Sequence, residues 1–226
     1  MGQGVSEVLP FAIGIAISPI PIVAVILILF SRRARTNGPT FLLGWVLGLA
    51  VVSTVVYVVA DAANAATDPT SSDTVSWIHV ALGVLLLGLA RRQWARRPKP
   101  GEQPAMPRWM DAVEDMTPLR ALALAVALAA VNPKNLVLAV AAAAGLAQVH
   151  DLSTVDVVVA LVVFVAVASL SVAAAVGYDL FGGTRARSSL DEMRSWLTLH
   201  NAAVMATLFL VFGVALVAKG VGLLSA

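Results

Sequence analysis

Six apolar stretches, at 8–30, 40–60, 76–94, 119–148, 152–177 and 199–222, take up most of this 226-residue chain. Each is close to or beyond the ~20 residues that a helix needs to cross a bilayer. Composition decides between membrane spans and the buried helices of a soluble globule. A soluble globule is about half apolar and a quarter charged, whereas this chain is 59% hydrophobic and 12% charged, with a mean hydropathy of +0.89. Hydrocarbon offers the backbone no hydrogen-bond partners, so each stretch is expected as a helix. The fold class is therefore all-α: a polytopic membrane protein with six transmembrane helices. The third stretch is the weakest, because it contains His79 and its purely apolar core is short.

The charges orient the spans. Arg32, Arg33 and Arg35 lie in 31–39; Arg91, Arg92, Arg96, Arg97, Lys99 and Arg108 in 91–118; Arg185, Arg187 and Arg194 in 178–198. The N-terminal tail and the connections 61–75 and 149–151 have neither Lys nor Arg, and carry Glu7, Asp61, Asp68, Asp73 and Asp151. By the positive-inside rule the basic connections face the cytoplasm and both termini face outside. Residues 1–7 lack a basic leader region and the first stretch is of spanning length, so the first span is expected to be retained.

Several functions are excluded or disfavoured. A net charge of +2 gives no footprint for nucleic acid, and the absence of cysteine rules out disulfides and thiol redox chemistry. His79, His150 and His200 do not cluster, so no metal site is expected. Acids occur only in connections or near span ends, which disfavours a divalent-cation path. With no nucleophile–base arrangement and no glycine-rich phosphate loop, neither an enzyme nor a cofactor is expected.

An internal repeat divides the chain. Residues 16–23 read AISPIPIV and residues 130–137 read AVNPKNLV, an offset of 114. Each copy lies in the first span of a three-span half, and an odd number of spans gives the halves opposite orientations. The expected organisation is two inverted three-helix repeats, 1–94 and 119–226, joined by a cytoplasmic linker at 95–118. In that linker Trp109, Met110, Val113 and Met116 recur at helical spacing opposite Asp111, Glu114 and Asp115. The pattern reads either as a short amphipathic helix on the inner membrane surface or as an ordinary helical connector.

Ser and Asn are favoured helix N-caps, and Pro is favoured at the first helical position. Thr117-Pro118 shows that pairing at the start of the fourth stretch, where it is expected. Ser18-Pro19 and Asn132-Pro133 show it roughly 15–20 Å inside their stretches at 1.5 Å per residue. Each reads as a helix that stops and restarts near mid-bilayer, presenting N–H groups at the positive end of a dipole. Taken alone, Ser18-Pro19 fits a packing kink as well as a site. Lys134 adds a charge costing ~2.5–3.5 kcal/mol at the centre of a span, and it stands too far from either end of its stretch to snorkel. The sequence therefore places a site for an anion or an electron-rich head group at Ser18, Pro19, Asn132, Pro133 and Lys134. Asp179 and Asn201 are secondary candidates, for gating and for interhelical hydrogen bonding. Gly44 and Gly48 read as a packing pair.

ISPIPIVAVILILFSRRARTNGPTFLLGWVLG at 17–48, VNPKNL at 131–136 and NAAVMA at 201–206 together resemble the GAP family. These are the glycopeptidolipid- and sulfolipid-1-addressing, Sap-like proteins of actinobacteria, in the lysine-exporter (LysE) superfamily. The resemblance covers nearly the whole chain. It implies six spans in two inverted halves and a role in moving lipids or glycolipids to the cell surface. The resemblance also points to Pro21 and Asn135 as substrate-binding or gating residues beside Ser18, Pro19, Asn132, Pro133 and Lys134, and it adds Arg33, Arg35, Asn37 and Gly38 as secondary candidates. The expected function is an inner-membrane exporter or translocation factor for a lipid, glycolipid or other amphiphile. An amino-acid or small-metabolite exporter, and a non-transporting scaffold for lipid-synthesis enzymes, are the alternatives. Expected partners are membrane lipids and a lipid or small-molecule substrate, with a homo-oligomer compatible and no nucleic acid.

Overall fold

The computed structural model describes residues 2–66, 72–97, 113, 115–149 and 151–224, and among them it contains nine helices and no strand. In chain order these are α1 (Gly2–Ala16), α2 (Pro19–Leu29), α3 (Ala34–Ala66), α4 (Ser72–Ala95), α5 (Pro118–Ala130), α6 (Pro133–Leu146), α7 (Thr154–Ala168), α8 (Leu170–Phe181) and α9 (Gly183–Leu224). Helices α3 and α9 are each long and apolar enough to cross a membrane. Three bent pairs pass the same test as broken spans, α1–α2 at 53°, α5–α6 at 58° and α7–α8 at 52°, giving up to five. Helix α4 falls short. Polar residues at its start and Arg91, Arg92 and Gln93 near its end leave an apolar core only between Val80 and Ala90.

Two of the bends fall at the proline motifs, as the sequence predicts. The third, at Ser169, interrupts a stretch expected to be a single span. No proline is involved. The Ser169 N–H is shared between the carbonyls of Val165 (3.1 Å) and Ala166 (3.2 Å), which tightens the last turn of α7. The connections are also more helical than expected. Arg35, Asn37, Gly38 and Pro39 lie in the first turns of α3, and only Gly182 separates α8 from α9. Residues 183–198 are polar but rich in helix formers, and Arg194 pairs with Asp191 one turn earlier at 2.7 Å. At 42 residues α9 is about 63 Å long, twice the ~30 Å of a hydrocarbon core. Its basic first turns are the polar part of that excess length.

Small residues set the helix contacts. A Cβ on Gly83 would stand 2.8 Å from the Gly213 carbonyl, and one on Gly220 2.6 Å from the Ser76 carbonyl, so α4 and α9 touch backbone to backbone. Gly44 does the same for α3 against α5, 2.6 Å from the Leu122 carbonyl, and Gly48 meets Ala129 at 2.8 Å. Helix α1 lies against α6 and α7, α6 also against α3 and α4, and α2 against α8 and α9. The two restarted helices are buried nearly all round, α2 from Pro19 to Leu29 and α6 from Lys134 to Leu146. They form the centre of the molecule. Of the linker pattern, Trp109, Met110, Asp111 and Glu114 lie outside the described residues. Val113 and Met116 are buried in the common core, so this end of the linker docks on the helices.

Candidate functional site

The first break is made by what its residues cannot do. The Ser18 N–H turns back to the Ile15 carbonyl at 3.0 Å, leaving Gly14 without its usual helical donor. Pro19 and Pro21 have no N–H, so of the first three residues of α2 only Ile20 brings a donor. Ser18 itself is extended (φ −73°, ψ 117°) and completely buried, and its hydroxyl has no hydrogen-bond partner among the described residues.

The second break is better satisfied. Asn132 takes the same extended conformation (φ −61°, ψ 117°), and its Oδ1 accepts from the Lys134 N–H at 3.1 Å. Asn135 reaches back across the bend and donates from Nδ2 to the Leu128 carbonyl at 3.1 Å. The Asn135 Oδ1 is buried without a partner among the described residues. Pro133 is exposed, so one side of this bend faces outward.

Lys134 joins the two breaks. Its Nζ donates to the carbonyl of Gly14 at 2.6 Å, 120 residues away in sequence, and the side chain is 1% exposed. The carbonyl that the first break orphans is therefore capped by the second. An ammonium has three donors, and Gly14 is its one hydrogen-bond partner among the described residues. No carboxylate pairs with it there. The lysine sits in the first turn of α6 and points at the carbonyl end of α1, the negative end of a dipole. Gly14 is enclosed: a Cβ there would run into the Phe212 ring and stand 3.0 Å from Leu138.

The remaining candidates lie elsewhere. Asn37 donates from Nδ2 to Ser31 Oγ (3.2 Å) and to the Met116 carbonyl (2.8 Å), tying the start of α3 to the end of the linker. A Cβ on Gly38 would stand 2.7 Å from Leu29, so Gly38 lets α2 and α3 close up. Arg33 and Arg35 are set apart from the breaks, and Arg33 borders a cavity of about 290 Å³ with Arg32, Asp115, Met116 and Thr117. Asp179, whose side chain is almost fully buried, faces Arg187 at 3.7 Å. Asn201 is partly buried, and its Oδ1 has no partner among the described residues. The structure brings Lys134 to the first break but gathers neither the Arg33–Gly38 group nor Asp179 there.

Sequence reasoning missed an ion pair between Glu7 on α1 and Lys219 on α9, seated over Gly145 of α6, where a side chain would displace the Glu7 carboxylate. The signal was Lys219 itself, a cation on the side where the charge rule allows none. Glu7 neutralises it. Among the described residues no group of His, Asp and Glu is arranged to hold a metal.

Neither a curated protein nor a solved structure matches the chain. A family model described as Sap, sulfolipid-1-addressing protein, matches residues 8–222, which include both breaks, Lys134 and Lys219. The chain belongs to the Sap, sulfolipid-1-addressing protein, family.

Proposed function

We propose that this protein exports a lipid, glycolipid or other amphiphile with a polar or anionic head group, received between the broken pairs α1–α2 and α5–α6. The observation that carries this is the fully buried side-chain nitrogen of Lys134, which has no carboxylate partner among the described residues and gives one hydrogen bond to a carbonyl. A buried cation left uncompensated is costly, and its two remaining donors suit an anionic or strongly polar group. Ser18, Pro19, Pro21, Asn132, Pro133 and Asn135 shape the surroundings of that charge.

The helix contacts support the architecture of an inverted-repeat transporter in a bacterial inner membrane. Helix α3 lies on α5 as α7 lies on α1; α6 lies on α3 as α2 lies on α8; α4 lies on α6 as α9 lies on α2. Helix α4 meets α9 as its own counterpart. This set of neighbours supports a pseudo-two-fold relation between the halves; the membrane-plane axis, the six spans and the outside termini rest on the odd number of spans per half and on the charge pattern. The likeness to the lysine-exporter superfamily belongs to the same reading.

Flux through liposomes holding the purified protein tests it. Lys134→Met should reduce flux about 10- to 150-fold, the equivalent of a charged hydrogen bond of 1.5–3 kcal/mol. Lys134→Gln, which keeps a donor for Gly14, should lose as much. Full flux from a well-folded Lys134→Gln protein would end the head-group reading. Competition by free amino acids but not by lipids would move the substrate to the small-metabolite class, and absence of any flux would favour a scaffold.

A further inference from the structure

The α4–α9 and α3–α7 contacts are built in opposite ways. Where α4 meets α9, glycines bring the two backbones together. Where α3 faces α7, the helices leave a groove of about 510 Å³ between Val46, Ala50 and Ser53 on one side and Leu161, Val162 and Val165 on the other. We propose that this groove holds one acyl chain of a membrane lipid. The proposal rests on the lipid-handling reading of the protein, as the tail subsite of its amphiphile, and does not require flux.

Chemistry selects hydrocarbon. No charged residue lines the groove. The Ser53 hydroxyl donates to the Leu49 carbonyl of its own helix at 2.8 Å, so it offers no donor to an occupant. Besides Ser53 the lining carries one other hydroxyl, that of Thr54, so a head group, a carboxylate or a peptide backbone would find most of its polar atoms unpaired there, which disfavours all three.

The opening points the same way. Val158 and Val162 belong to the groove and are 53% and 61% exposed. The flanking Val51, Val55 and Val155 are exposed as well, so the mouth is continuous with the apolar surface that α3 and α7 turn outward. An occupant enters from hydrocarbon, not from water.

The length of the groove suits a chain. Val46 to Thr54 is about 12 Å along α3, close to the ~15 Å of one leaflet's hydrocarbon. An extended acyl chain lies along it within a single leaflet.

The test uses the whole protein in vesicles of phosphatidylethanolamine and phosphatidylglycerol that include a phosphatidylglycerol with a diazirine in mid-chain. After irradiation, labelled residues are mapped by mass spectrometry. Label should concentrate several-fold at 46–54 and 158–166 over the equally exposed Val58, Val59, Val211 and Val214. Filling the groove by Val162→Trp or Ala166→Trp should cut groove labelling at least fivefold, and Val58→Trp should leave it unchanged. Val162→Phe serves if the tryptophan variants do not fold, with a smaller drop expected. Even labelling of all exposed positions, or unchanged groove labelling in the filled variants, overturns the proposal. So do cross-links between two copies at these residues. Groove labelling without flux would sink the transport reading alone, and flux without groove labelling would sink the groove alone.

Discussion

The two breaks share a sequence frame but not a means of support. Gly14 and Leu128 are separated by 114 residues, the offset of the motif, and each has a carbonyl capped by a side chain across its bend. Both caps come from α6, as Lys134 and Asn135. The corresponding residues of α2 are Ile20 and Pro21, which offer no side-chain donor. One bend is thus satisfied within its own half and the other only by the opposite half. The comparison also isolates the charge. A neutral amide suffices to cap Leu128, so an ammonium at Gly14 exceeds what the backbone asks for. The extra desolvation, roughly several kcal/mol for an unpaired buried ion, is the physical reason to look for a second use of Lys134.

Crowding Gly14 should test the dependence of the first break most severely. Gly14→Ala sets a methyl against the Phe212 ring and Leu138 and displaces the carbonyl that Lys134 caps. Overpacking of this kind costs about 1–3 kcal/mol. Thermal unfolding in detergent should show the loss, and Phe212→Leu should restore most of it. If Gly14→Ala unfolds at the wild-type temperature, the enclosure of this carbonyl is looser than described.

Removing the neutral cap should cost stability and little else. Asn135→Leu leaves the Leu128 carbonyl without its side-chain donor, worth about 1–2 kcal/mol after the buried Oδ1 is also removed. Lys134→Met orphans Gly14 in the same way but relieves a buried charge, so its stability should change less. Denaturation of the two variants side by side decides this. A larger loss for Lys134→Met would make the lysine chiefly structural.

Much of this arrangement was legible because proline and N-cap residues leave a local mark wherever a helix restarts. Ser18-Pro19 and Asn132-Pro133 needed only the sequence. Ser169 did not announce its bend, since a shared hydrogen bond replaces the proline there. The helical start of α9 was hidden by Arg185, Arg187 and Arg194, which mark a segment as outside the membrane without saying that it is unstructured. The direction of Lys134 was beyond reach for another reason. Its partner is a backbone carbonyl 120 residues away, and a carbonyl has no residue identity to read. Glu7 and Lys219 were each visible, but 212 residues separate them and only the packing of α1 on α6 and α9 makes them a pair.

That pair offers a smaller test, because it spans the same two halves as the Lys134 bond. Its side chains are 21% and 31% exposed, so solvent screens part of the attraction. A double-mutant cycle with Glu7→Gln and Lys219→Met should give a coupling of about 1 kcal/mol. Coupling near zero would show that this pair does not help Lys134 to join the halves.

The N-cap positions separate the breaks, and the smallest effect of all is expected at Ser18. Asn132 Oδ1 accepts the Lys134 N–H, so Asn132→Ala should cost about 0.5–2 kcal/mol, the usual loss of an N-cap. Ser18 makes no such bond and is fully buried, so Ser18→Ala removes a hydroxyl that was desolvated for nothing in return. Its stability should stay within about 0.5 kcal/mol of wild type or rise. Flux then becomes informative for this variant. If the hydroxyl waits for a substrate or for water carried with it, Ser18→Ala slows export at unchanged stability; if it is only a small residue that lets the chain turn, export is unaffected. A Ser18→Ala protein as destabilised as Asn132→Ala would show that the hydroxyl caps α2 after all, and the asymmetry between the two breaks would disappear.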